Sequence, residues 1–334
     1  MKTIALFNHK GGVGKTTITV NVAHALGQLG IATLVVDCDP QCNATAFYLR
    51  EDQVDALLNE SIDPEEGGTI WSGIAKHVRA RGEVRAVETW PVGSPVKASV
   101  QLLPGDVLLS SFEDRLSTAW KDSFSRDPTA LDLMSALHRC IARTAQKVGA
   151  GLVLLDVGPS VGSLNRAMLL GCDYYITPVA CDLFSLRALR AVGETLRSWV
   201  EDWQTIRGLA AKVTDVTLLP GVPAFMGYVT QHFNIYRGRS ASAFEEWENK
   251  IAPRVNRDLV GPLRAIDESL VPDLGPKKMG AIPAFGSLAP LSHEHGLAIG
   301  ALRGRVNSGF YPKIDEAEDI FRALAAQIKR RAAL

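Results

Sequence analysis

Residues 9–17 read His9-Lys10-Gly11-Gly12-Val13-Gly14-Lys15-Thr16-Thr17. They follow a short apolar run, residues 4–8, and open a segment, residues 15–29, in which Val20, Ala23 and Leu26 recur at helical spacing until Gly30 stops it. Consecutive glycines let a turn point its N–H groups at phosphate oxygens, and the helix behind it adds the positive end of its dipole. Lys15 is then placed to reach the outer phosphates, and the Thr16 hydroxyl is suited to Mg²⁺. The phosphate-binding set expected from this stretch is Gly11, Gly12, Val13, Gly14, Lys15, Thr16 and Thr17. The general pattern for such loops has glycine at the position of His9, so this is a variant of it.

Working outward, residues 31–37 (IATLVVD) form an apolar, β-branched run of the length of one buried strand. Strand, glycine loop, helix and strand make a βαβ unit, which implies parallel strands and a right-handed crossover. Further buried strands are expected at 152–156, 174–178, 226–230 and 279–283, with helical patterns between them, including 131–148. The fold expected is α/β: a doubly wound, mostly parallel sheet with helices on both faces. No internal repeat, low-complexity tract or Gly/Ser linker divides the chain. Residues 1–334 therefore read as one domain, with a peripheral excursion expected at 198–225, where Trp199, Trp203, Pro220 and Pro223 interrupt the pattern.

Lys and Arg number 36 and so do Asp and Glu, which excludes a generally basic DNA-coating protein and a generally acidic disordered one. No apolar run approaches the roughly 18 residues of a membrane span. The N-terminus lacks the apolar region and cleavage site of a signal peptide. The five cysteines form no CxxC pair, so reduced thiols and a cytoplasmic setting are expected.

Lys10–Thr17, KGGVGKTT, resembles the deviant Walker A motif of the ParA/MinD-type ATPases, the ParA branch most closely. Residues 35–45 (VVDCDPQCNAT) resemble that family's DxDPQxN segment, and residues 152–162 (LVLLDVGPSVG) its Walker B region. Residues 172–189 and 281–296 resemble the stretches that follow, so the likeness runs to about residue 300. It implies a P-loop ATPase that binds ATP and Mg²⁺, works as a homodimer in the ATP state and turns over slowly. It also implies non-specific DNA binding, a ParB-like activating partner, and a role in plasmid or chromosome partition.

Carried over residue by residue, the likeness makes Lys10 the lysine that reaches the partner protomer's nucleotide. Lys15 becomes the phosphate lysine, and Asp39 the switch aspartate that orients water. Thr16, Asp39 and Asp156 become the Mg²⁺ set, the aspartates acting through water. Taken by themselves, Asp37 and Asp39 sit where α/β sheets place ligands, but an Asx turn into the next helix explains either acid. Gln231, Asn234, Pro283 and Phe285 fall where the family places adenine, the last two through backbone and ring. Gly158 stands where proline is usual, and Ala284 where arginine is usual. His293 and His295 have no third ligand in view and read as a polar loop.

Arg187, Arg190 and Arg197 recur at helical spacing and are the expected DNA contacts, with Lys277, Lys278 and Lys329-Arg330-Arg331 in support. The final segment, 315–334, is amphipathic; packing on the sheet is expected over a membrane role. A MinD-like membrane-recruited regulator and a ParA-like switch subunit of another assembly stand as the other readings.

Overall fold

The apolar runs become the middle of one eight-stranded sheet in the computed structural model, which describes residues 1–61, 67–80, 82–94, 96–231 and 241–334, without the side chains of 241–245 and 248. β1 (Lys2–Leu6) leads through the glycine loop to α1 (Lys15–Gln28) and β2 (Thr33–Asp37). Three short helices follow, α2 (Asn43–Tyr48), α3 (Glu51–Glu60) and α4 (Ile70–Val78), then β3 (Trp90–Pro91) and β4 (Val100–Leu103). α5 (Leu109–Ser123) and α6 (Pro128–Lys147) deliver the chain to β5 (Leu152–Asp156). α7 (Ser163–Gly171) leads to β6 (Tyr174–Ala180), and α8 (Leu183–Leu209) to β7 (Ala224–Gln231). The remainder holds α9 (Ala241–Val255), α10 (Gly261–Arg264), β8 (Lys278–Ile282), α11 (Leu288–His295) and α12 (Tyr311–Arg331).

The strand order is β3-β4-β2-β5-β1-β6-β7-β8, and every pairing is parallel except β3 with β4 at the edge. Side chains alternate across a strand, so each central strand feeds two cores. Leu152 and Leu154 of β5 face the core under α1 and α12, while Val153 and Leu155 face the core under α4 to α8. Parallel register sets Asp37 at the end of β2 beside Asp156 at the end of β5. Two acids thus share the carboxyl end of the sheet, the ligand-binding end of such folds.

The stretch 198–225 is not a peripheral excursion. Its first half continues α8, and Trp199, Trp203 and Ile206 are buried under the sheet. Trp203 stacks on Trp120 of α5 at 5.7 Å and donates its indole N–H to Leu219 O at 3.1 Å. The tryptophans that broke the pattern are the core anchors of a long crossover helix, and the prolines belong to the connection into β7. α12 buries Ile314, Phe321, Leu324 and Ile328, so its apolar stripe is spent on packing. No helix among the described residues is long and apolar enough to cross a membrane.

Candidate functional site

The site grows from the loop between β1 and α1. Gly12 and Gly14 both have φ +70°, a left-handed conformation that favours glycine. A side chain at Gly14 is also excluded by space, because the Gln231 amide from the end of β7 lies 2.4 Å from where its Cβ would be. Gly14 serves as the N-cap of α1 with no side-chain cap, and the first turn carries no acid. The leading N–H groups of that helix are therefore left for an external acceptor.

Lys15 is 8% exposed, and among the described residues its ammonium has one hydrogen-bonding partner, Asn8 O at 3.2 Å. Burial lowers its pKa while the charges of Asp156 and Asp39 hold it up. Thr16 Oγ1 donates to Asp156 Oδ2 at 2.7 Å, and Thr19 Oγ1 lies 3.4 Å from Asp156 Oδ1. Burial pushes the Asp156 carboxyl up to about 6, against the pull of Thr16 and Lys15. Asp37 is pushed up to about 7 by burial first and then by Asp156, although Thr45 donates to it twice, at 2.8 Å and 2.7 Å. Negative charge is thus crowded around the Thr16 hydroxyl, a setting that a divalent cation relieves. Among the described residues no three His, Cys, Asp or Glu side chains are grouped to hold a metal by themselves. Thr16 Oγ1 and the Asp156 carboxylate are the oxygens that could hold a cation such as Mg²⁺, which takes one or two protein oxygens and completes its shell with phosphate and water.

Asp39 lies over the same crevice. Its Oδ1 accepts from Gln41 N at 3.0 Å and its Oδ2 from Asn43 Nδ2 at 3.3 Å, so it also closes the turn into α2. Asp37 is committed to Thr45 and to Asp39 N, and is structural.

Lys10 does not project freely. Its ammonium lies 2.6 Å from Asp182 Oδ2 and 3.0 Å from Ser185 Oγ, at the start of α8 of the same chain. Burial opposes ionisation of Asp182, but Lys10 and the Ser185 N–H and hydroxyl outweigh it and hold the carboxyl below its usual range. Sequence reasoning missed this pair and also Asn8, whose carbonyl and amide tie Lys15, Lys10 N and Pro178 O together. The D-x-x-S spacing of Asp182 and Ser185 at a helix start was a legible capping signal. Nothing local pointed from it to Lys10.

The outer residues are brought together less completely. Gln231 abuts the glycine loop, and Asn234 lies outside the described residues. Pro283 follows β8, but the Phe285 ring is 6% exposed and packs on Phe321 at 5.9 Å. The Phe285 ring is therefore spent on packing and is not offered to a base. Arg187, Arg190 and Arg197 do share the exposed face of α8. Arg190 is paired with Glu194 at 2.7 Å and Arg197 with Glu201 at 2.9 Å, so that face carries less positive charge than the spacing suggested. Arg331 is not part of a free basic tail: it is buried and donates to Met226 O and Pro276 O, each at 2.7 Å. His293 packs edge-on against Phe47.

Comparison with known proteins bears on the same residues. The profile of the family described as AAA domain (AAA_31) matches residues 1–205. The chromosome-partitioning ATPase Soj of Thermus thermophilus is 30% identical over 196 residues, covering 59% of this chain and 61% of that protein. The match spans between 52% and 65% of the length of the first such relatives. Among solved structures, protein DIP2308 of Corynebacterium diphtheriae superposes with a TM-score of 0.74 at 25% identity, covering 99% of both chains. The pNOB8 ParA bound to nonspecific DNA has a TM-score of 0.58 at 16% identity, covering 99% of this chain and 98% of that one, a likeness of fold.

Proposed function

The chain belongs to the AAA domain family, in its ParA/MinD-type branch, and from that premise we propose an ATP-hydrolysing switch that acts as a nucleotide-sandwich dimer in DNA partition. The observation that carries this reading is a convergence at the uncapped start of α1. A buried lysine, a threonine hydroxyl and a strand-end aspartate meet there, beneath a loop of left-handed glycines.

In this reading the α1 N–H groups and Lys15 bind the phosphates, and Thr16 would hold Mg²⁺, with Asp156 and Asp39 acting through water. Bound Mg²⁺ would offset negative charge on the outer phosphates. Asp39 orients the attacking water. Lys10 has to leave Asp182 before its ammonium can reach a second protomer's nucleotide, where it would stabilise charge on the transferred group. Hydrolysis is therefore tied to dimerisation, and an activating partner protein of the ParB type would act on the same step. Gln231 and the backbone near Pro283 border the base.

DNA binding is read from the exposed arginines of α8, with the DNA-bound pNOB8 ParA as support. Two of the three would exchange a glutamate for a phosphate, so Arg187 should matter most. ATP-loaded protein is expected to bind duplexes of unrelated sequence about equally at roughly 50 to 100 mM salt, with a log–log salt slope of about −0.9 per phosphate neutralised. Arg187→Glu should weaken all of them alike. Binding to anionic liposomes with none to DNA would overturn this assignment and favour a membrane-recruited regulator.

A further inference from the structure

The turn after β5 touches both walls of the site. A Cβ placed on Gly158 would lie 3.1 Å from Asp39 Oδ1 and 3.2 Å from its Cγ, so the turn's backbone is seated against that carboxylate. On the other wall Pro159 packs beside Gly11, its Cβ 3.8 Å from where a Cβ on that glycine would be. Glycine at 158 has wide conformational freedom and does not fix this position by itself. One side chain on α7 does. The Asn165 amide, 1% exposed, donates to Gly158 O and to Ser160 O, both at 2.8 Å. Ser160 Oγ at 3.2 Å is a third acceptor for the same two hydrogens. Glu113 of α5 steadies the start of α7 in turn, accepting from Leu164 N at 3.3 Å.

We propose that Asn165 is a positioning residue for hydrolysis: by tying two carbonyls of the 158–160 turn to α7, it sets the Asp39 carboxylate relative to the glycine loop. This rests on the reading of Asp39 as the group that orients water. Asn165 acts through the turn, and its amide is spent on backbone acceptors. Removing it frees the turn to move away from Asp39 while α1, Lys15 and Thr16 stay in place. A displacement of about 1 Å at a reacting group costs up to roughly 100-fold in rate.

The test uses the full chain and three measurements: MgATP affinity by titration of a fluorescent analogue, thermal unfolding, and steady-state hydrolysis. In Asn165→Ala, kcat is expected to fall by about tenfold or more, with KM and affinity within about threefold of the parent. Because Asn165 acts through Asp39, Asn165→Ala combined with Asp39→Ala should turn over no more slowly than Asp39→Ala alone, within about twofold. A purely structural role would lower affinity, unfolding temperature and turnover together, and would multiply in the double variant; either pattern overturns the proposal. So does an unchanged kcat in a folded Asn165→Ala. If that variant does not fold, Asn165→Ser carries the same comparison. A parent chain that does not hydrolyse ATP defeats the reading of the site as a whole, whereas a hydrolysing parent with a fully active Asn165→Ala defeats only this inference.

Discussion

Lys15→Ala should weaken MgATP binding by at least ~100-fold. The ammonium has three hydrogens, and among the described residues its one hydrogen-bonding partner is the Asn8 carbonyl, in a pocket whose burial disfavours its charge. A buried cation with a single neutral acceptor among the described residues has hydrogens left for an anion. Two charge-assisted bonds to phosphate, each worth about 1.5–3 kcal/mol, amount to roughly 10² to 10⁴ in affinity. Thermal unfolding is measured alongside, because the change removes a charge that is costly to bury and also one that offsets buried Asp156. A fluorescent ATP titration reads the difference, and parental affinity in Lys15→Ala would show that the loop does not hold phosphates.

Asp39→Ala should separate binding from turnover. A group that orients or activates water contributes about 10² to 10⁴ to rate, and the phosphate cradle does not include it. The turn into α2 keeps its backbone bond from Cys42 N to Asp39 O at 2.8 Å, so loss of the carboxylate need not unravel that helix. Size exclusion with MgATP should show a dimer that persists while phosphate release falls by about 10²-fold or more, to a slow residual rate. Normal phosphate release would leave Asp39 as a residue that only closes a turn, which its bonds from Gln41 N and Asn43 also allow.

The sheet was legible because its strands are buried on both faces. The run 152–156 reads as a strand from composition alone, and β5 occupies those residues. β1 was read two residues late because Phe7 and Asn8 are also buried, although after the Phe7 N–H bonds Ile176 O the chain turns into the loop. β4 was not read at all: four residues in a stretch rich in Gly, Pro and charge give too short a pattern, and it is the pairing with β2 and β3 that makes it a strand. The misreading of 198–225 has one cause. Tryptophans within a helical face look like interruptions until Trp120 and Leu219 are brought to Trp203 by the fold.

The glycine loop and its threonine were legible for a different reason: their chemistry is local, with residues 9–17 contiguous in the chain. The contacts that restrain the site come from far away. Asp182 holds Lys10 across 172 residues, and Gln231 closes on Gly14 across more than half the chain. No spacing in the sequence reports either. The charge pairing on α8 could have been read, since Arg190 and Glu194, and Arg197 and Glu201, stand four apart on one helix. Attention to basic residues alone hid the acids that neutralise them.

The dependence of hydrolysis on dimerisation can be measured as the rate per protomer over a range of protein concentration, with sedimentation velocity run on the same samples. A switch completed by Lys10 from a second protomer should be monomeric without nucleotide and dimeric with MgATP. Its specific rate should rise with concentration to a plateau, and in Lys10→Ala it should stay near the background throughout. A specific rate independent of concentration, from a species that sediments as a monomer with MgATP bound, would contradict it.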